Sequence, residues 1–108
     1  MGSQSHVKLY SMLLAFLEEH GCSLIEHGSA ERGLAITDAR AFIGLLCTNQ
    51  VRLLGVELWR ATSNGLEMDV TEIWYPSVSE DSACYKDAEH YFNRVTARPG
   101  DVFAIQFG

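Results

Sequence analysis

Residues 51–75 read VRLLGVELWRATSNGLEMDVTEIWY, and the way this stretch folds back on itself decides the architecture. Two runs rich in aliphatic, aromatic and β-branched residues flank Thr62-Ser63-Asn64-Gly65, which predicts a β-hairpin. A two-residue Asn64–Gly65 turn would set Glu57 opposite Glu72, a like-charge pair costing about 0.2–1 kcal/mol. A three-residue Ser63–Asn64–Gly65 loop, with Gly65 left-handed, shifts the pairing by one. It collects Leu54, Val56, Leu58, Leu66, Met68, Val70 and Trp74 on one face. The other face holds Glu57, Trp59, Glu67, Asp69, Thr71 and Ile73. Because a one-residue slip exchanges the faces of a strand, this cleaner partition is the expected register, with Glu72 the misfit on the apolar side.

Outward from the hairpin, residues 7–20 carry an apolar stripe at helical spacing that Gly21 is placed to end. The turn-rich CSLIEHGSAERG leaves room for one strand at 23–26. Thr37 and Asp38 suit the start of a second helix, in which Ala39, Phe42, Ile43 and Leu46 share a face. A third helix follows a Ser79 cap, with Glu80 and Asp81 at its positive end and Cys84, Ala88, Tyr91, Phe92 and Val95 as its buried stripe. Pro99–Gly100 stops it, and DVFAIQF reads as a strand central in the sheet, because both of its faces are largely apolar. The expectation is a single α+β domain over residues 1–108. A mainly antiparallel sheet of three to four strands with a central hairpin is packed by about three helices. Residues 1–6 read as a flexible terminus or a cloning remnant.

The chain is 108 residues long with a formal charge of −6, which argues against non-specific attraction to nucleic acid. The excess is local. Eight acids lie between Glu57 and Glu89 against Arg60 and Lys86 alone. The three cysteines form no CxxC pair and the opening MGSQSHVK lacks the apolar region of an export signal, so reduced thiols and a cytoplasmic location are expected. No apolar run is long enough to span a bilayer.

Chemistry-bearing constellations are sparse. His20, Cys22 and His27 match no standard zinc spacing and lack a fourth ligand. Cys84 and His90 lie six residues apart on one helix and point away from each other. No phosphate-binding loop or nucleophile elbow occurs. Glu57 and Asp69, diagonal across the expected hairpin, are the pair that could do acid–base work, but an open sheet face offers no pocket to desolvate either. No catalytic residue, cofactor or metal is expected. What remains is Trp59, Trp74 and Tyr75 among Glu57, Glu67, Asp69, Glu72, Glu80 and Asp81: aromatic anchors ringed by charge, the usual build of a protein interface.

The segments AITDARAFIGLLCTNQVRLLGVELWR and GLEMDVTEIWY resemble the immunity protein 40 family of bacterial polymorphic toxin systems. The likeness runs from about Leu34 to Phe107. Gly55, an acid at Glu57 and the pair Trp74–Tyr75 follow the family strand pattern; its second glycine is lost here and its aromatic is displaced to Trp59. The resemblance implies a protein that binds and silences a cognate intracellular toxin domain and is itself no enzyme. An acidic hairpin face of Glu57, Trp59, Glu67, Asp69, Glu72 and Tyr75, extended by Glu80 and Asp81, would then cover a basic cleft in a toxin acting on nucleic acid or nucleotides. The alternatives are a small acid–base hydrolase using Glu57 or Asp69, and a self-associating adaptor. Neither nucleic acid nor membrane is an expected direct partner.

Overall fold

The computed structural model describes the backbone of residues 2–76 and 81–108 and the side chains of residues 7–76 and 84–108. Helix α1 (Gly2–His20) leads into β1 (Cys22–Ser23), a short 3-10 turn (Ile25–His27) and β2 (Arg32–Leu34). Helix α2 (Ile36–Thr48), strands β3 (Leu53–Thr62) and β4 (Gly65–Met68), a second 3-10 turn (Val70–Glu72), helix α3 (Asp81–Arg94) and β5 (Val102–Phe107) complete the chain. The sheet is antiparallel in the order β1-β2-β5-β3-β4, so β5 is central as its doubly apolar sequence requires. The α+β class stands, but the strands number five rather than three to four. The two extra pairings come from the hairpin of β1 and β2, whose two- and three-residue strands are too short to impose a period on the sequence.

The helices cover one face of the sheet. Alternation along β3 and β5 points Val56, Leu58, Phe103 and Ile105 at them, where they meet Leu13 and Leu17 of α1, Phe42 and Leu46 of α2, and Tyr91 and Phe92 of α3. Phe103 is fully buried and takes Phe92 edge-on at 5.2 Å, a geometry worth about 0.5–1.5 kcal/mol beyond the area it buries. Trp74 bridges to Val56 and lies 6.3 Å from Tyr91, which makes it a core residue. Helix α2 begins one residue before Thr37, with Ala35 at its cap and no side chain supplying the capping bond. Helix α3 ends at Arg94, ahead of the Pro99–Gly100 stop, and its Ser79 cap lies outside the described residues.

The hairpin register differs from expectation by one residue. Thr62 pairs with Gly65, and Trp59 with Met68, around a two-residue Ser63–Asn64 turn. The Thr62 hydroxyl accepts from the Asn64 N–H at 3.1 Å and donates to the Gly65 carbonyl at 2.8 Å. Gly65, at φ 103°, takes the positive φ that the turn requires while itself entering the ladder. The slip exchanges the partners on each face. Trp59 now shares a side with Leu66 and Met68, whereas Glu67 and Asp69 share the side of Leu58 and Arg60. The strand expected to run on to Tyr75 breaks at Asp69, whose carboxylate accepts from the Thr71 N–H and starts the second 3-10 turn.

Candidate functional site

The face of the sheet away from the helices divides into two halves. One half is covered. Leu24, Trp59 and Ala104 form a small second core with Leu66 and Val102, and the 3-10 turn after β1 reaches across it. His27 lies 6.4 Å from the Trp59 ring, and a side chain on Gly65 would meet His27 at 3.0 Å. The turn beside one edge strand thus touches the tip of the other, so the sheet is curled around this cluster. Trp59 is only 5% exposed. The expectation that it stands as an anchor on an acidic surface is therefore corrected: the register slip places it among apolar neighbours.

The other half of this face is uncovered. Strand alternation brings Gly55, Glu57 and Gln106 to it, and Glu31, just before β2, joins them. The Gln106 amide donates to Glu57 Oε2 at 3.3 Å. Burial raises the Glu31 carboxyl above the ordinary glutamate range, the Glu57 charge raises it further, and the Gln106 amide offsets part of this. The two carboxyls lie within hydrogen-bonding reach of each other, and Glu31 Oε2 is buried without a hydrogen-bond partner. The nearby cation in sequence, Arg32, points elsewhere and donates to the carbonyls of Leu17 at 3.0 Å and Gly21 at 2.9 Å. Tyr75, 59% exposed, walls the far side. It approaches Gly55 so closely that a Cβ there would stand 2.9 Å from its ring and 2.8 Å from the Gln106 side-chain oxygen. Gly55 thus admits both groups to the same point above the sheet.

The remaining acids expected at a docking face are dispersed. Asp69 is tied to Arg60, whose Nε donates to its Oδ2 at 3.0 Å, while Thr71 donates to its Oδ1 from hydroxyl and backbone at 2.5 and 3.0 Å. These bonds, with Thr71 foremost, hold the Asp69 carboxyl below the usual carboxylate range. Arg60 also donates to Asp101 at 3.1 Å and to the Thr96 carbonyl at 2.7 Å. The Asp101 side chain, 1% exposed, further accepts from the backbone N–H groups of Ala61 and Arg98. Burial alone would raise Asp101, but these donors outweigh it and the carboxyl is held low. Glu72 lies within 3.5 Å of Arg94 and its carbonyl accepts from the Tyr91 hydroxyl, so it belongs to the packing of α3. Glu67 is exposed at the hairpin edge on the face opposite Glu57. Glu80 lies outside the described residues, and of Asp81 only the backbone at the start of α3 is described.

Of the expected site residues, then, the fold brings together Glu57 and Tyr75. It adds two that sequence reasoning missed, Glu31 and Gln106. Gln106 carries a usable signal, since it is the lone amide in an otherwise apolar strand, whereas Glu31 lies in a segment with no period to assign its face. Among the described residues no group of three or more His, Cys, Asp or Glu could hold a metal ion. Among them, too, no helix is long and apolar enough to cross a membrane. Comparison with protein-family models, with curated proteins and with solved structures finds no match to this chain.

Proposed function

We propose that this chain is a toxin-neutralising binding protein, of the immunity type that its sequence resembles, and that it docks through the open half of the curled sheet around Glu57 and Tyr75. One observation carries the reading: two carboxyls share an amide on an uncovered face while one oxygen of the pair has no partner. Such an arrangement costs stability in the isolated chain, because like charges in reduced dielectric repel and an unmet buried acceptor forfeits its hydration. A lysine or arginine from a bound partner reverses both costs. Tyr75 beside it offers a rigid aromatic surface of the kind that anchors interfaces. Toxins that act on nucleic acid or nucleotides present basic clefts of matching charge, and acids that complement them speed encounter as well as orient it. Trp59 supports this face from beneath the covered half and is not itself a contact. Glu67, on the opposite side of the hairpin, can reach a partner only at the rim.

The Glu31–Glu57 pair also invites the acid–base hydrolase reading, since burial and the neighbouring carboxyl together raise Glu31 above the ordinary glutamate range. Carboxyls within hydrogen-bonding reach, however, are closer than the about 5 Å that retaining glycoside hydrolysis needs between them. A binding role accounts for the exposed Tyr75 as well.

The test is protection of cells against the toxin domain encoded beside this gene, together with calorimetry of the purified pair. Glu57→Lys places a positive charge where a cation is expected and should abolish protection, at a cost of about 2 kcal/mol or more in binding. Glu67→Lys serves as the control and should change binding by less than about 0.5 kcal/mol. Full protection by Glu57→Lys would show that the toxin docks elsewhere, and turnover by the chain alone would favour the enzyme.

A further inference from the structure

We propose that the open half of the sheet is a receptor for one arginine side chain of its partner, in preference to lysine. The inference rests on the docking face described above and names what that face grips. Neighbouring strands set its polar groups in a row: Glu57 on β3, Gln106 on β5, and Glu31 at the entrance to β2. The row is rich in acceptors and poor in donors. The Gln106 amide donates to Glu57 Oε2 at 3.3 Å, while Glu31 Oε2 has no donor. Among the described residues neither carboxylate has an ion-pair partner. The guanidinium of Arg32 is spent on the carbonyls of Leu17 and Gly21.

The aromatic wall is what singles out arginine. Tyr75 is 59% exposed and brings ring atoms Cδ1 and Cε1 to 2.9 and 3.0 Å from the point a Cβ on Gly55 would occupy. The Gln106 side-chain oxygen stands 2.8 Å from the same point. A flat ring and an amide oxygen therefore meet above one glycine, with the Glu57 carboxylate one hydrogen bond away. A guanidinium is planar, carries its N–H groups in a fixed fork and stacks on aromatic rings. It can lie against Tyr75 while its edge donates to several acceptors at once. An ammonium is a compact, strongly hydrated charge without a flat face, so it answers the carboxylates and leaves the ring unused. The other face of β3 shows the same solution built from within the chain: Arg60 spans two carboxylates, donating from Nε to Asp69 at 3.0 Å and from Nη1 to Asp101 at 3.1 Å. Arginine grips phosphate with the same fork. Acids arranged for it would occupy an arginine that a toxin acting on nucleic acid or nucleotides needs for its substrate.

The test takes the whole chain without toxin and titrates it with N-acetyl-L-arginine amide and, separately, N-acetyl-L-lysine amide at equal ionic strength. Binding is followed by NMR at the Gly55 N–H and the Gln106 side-chain amide. The arginine probe is expected to bind about tenfold more tightly than the lysine probe. Tyr75→Phe should keep that preference, whereas Tyr75→Leu should remove it by lowering arginine binding to the lysine level. Glu57→Gln should weaken both probes about five- to tenfold. Circular dichroism of the three variants should match the parent. Equal binding of the two probes overturns the proposal, as does the absence of shifts at these positions. A preference that survives Tyr75→Leu overturns it as well. The docking reading fails separately. Equal probe binding in a chain whose protection is abolished by Glu57→Lys removes the arginine assignment and keeps the face, whereas an arginine preference in a chain that gives no protection keeps the receptor and removes the toxin.

Discussion

Arg60 and Glu57 leave opposite faces of β3, and the carboxylates gathered near them live under opposite electrostatics. On the helix side, Asp69 and Asp101 converge on one guanidinium, and both carboxylate oxygens of Asp101 accept hydrogen bonds. On the open side, Glu31 and Glu57 converge on an amide, and one oxygen of Glu31 accepts nothing. The first cluster closes the hairpin onto the loop before β5 and is complete within the chain. The second contributes nothing evident to the fold and has the unmet charge a basic partner would answer. Residues of the same chemical type, a few positions apart, divide in this way between a cluster complete within the fold and one left with an unmet acceptor.

The sharpest way to separate the two is to truncate one side chain at each. Asp101→Ala takes one of its two carboxylates from Arg60 and leaves the Ala61 and Arg98 N–H groups without their acceptor in a buried site, and should cost about 3–5 kcal/mol in urea unfolding. Tyr75→Ala should cost about 2 kcal/mol in calorimetric binding to the toxin while shifting stability by less than about 0.5 kcal/mol. An equal loss in both would mean that Tyr75 serves as cover for Gly55. The smallest effect is expected from Glu31→Gln, which removes a like charge and should stabilise the chain by about 1 kcal/mol at neutral pH.

The pH dependence should have opposite signs at the two clusters. Asp69 and Asp101 have folded values below the ordinary 3.8, so their contribution is complete above that value and is lost as pH falls through the folded ones. Glu31 is raised above 4.5, so its contribution is complete below 4.5 and is lost as pH rises through the folded value. Thermal melts of Glu31→Gln and the parent should therefore converge as pH is lowered below 4.5 and separate toward neutrality. Persistence of the full difference at low pH would show that burial of the oxygen, rather than its charge, is what the substitution relieves.

Much of the framework was legible in the sequence because it is long and periodic. Helix α3, the hairpin and the central place of β5 follow from stripes and alternation over six or more residues. The register was not, because it turns on whether Gly65 lies in the loop or in the ladder. Thr62 decides that with its hydroxyl, a local bond that no hydropathy pattern encodes. The consequence is large, since one residue of slip moves Trp59 from an acidic surface to an apolar cluster and delivers Asp69 to Arg60. The open site was half legible. Glu57 and Tyr75 stood out by chemistry, whereas Glu31 reaches them through the β1–β2 hairpin, whose strands are too short to announce themselves.

Both borders of the sheet are short. Strand β4 offers four residues before Asp69 and Thr71 divert the backbone, and β1 offers two. A longer flat border of unpaired amides would recruit strands from other molecules and seed fibrils. By halting β4 early, the Asp69 cap also protects a chain rich in β-forming residues against aggregation, a service that concentrated solutions of an Asp69 variant would reveal as turbidity.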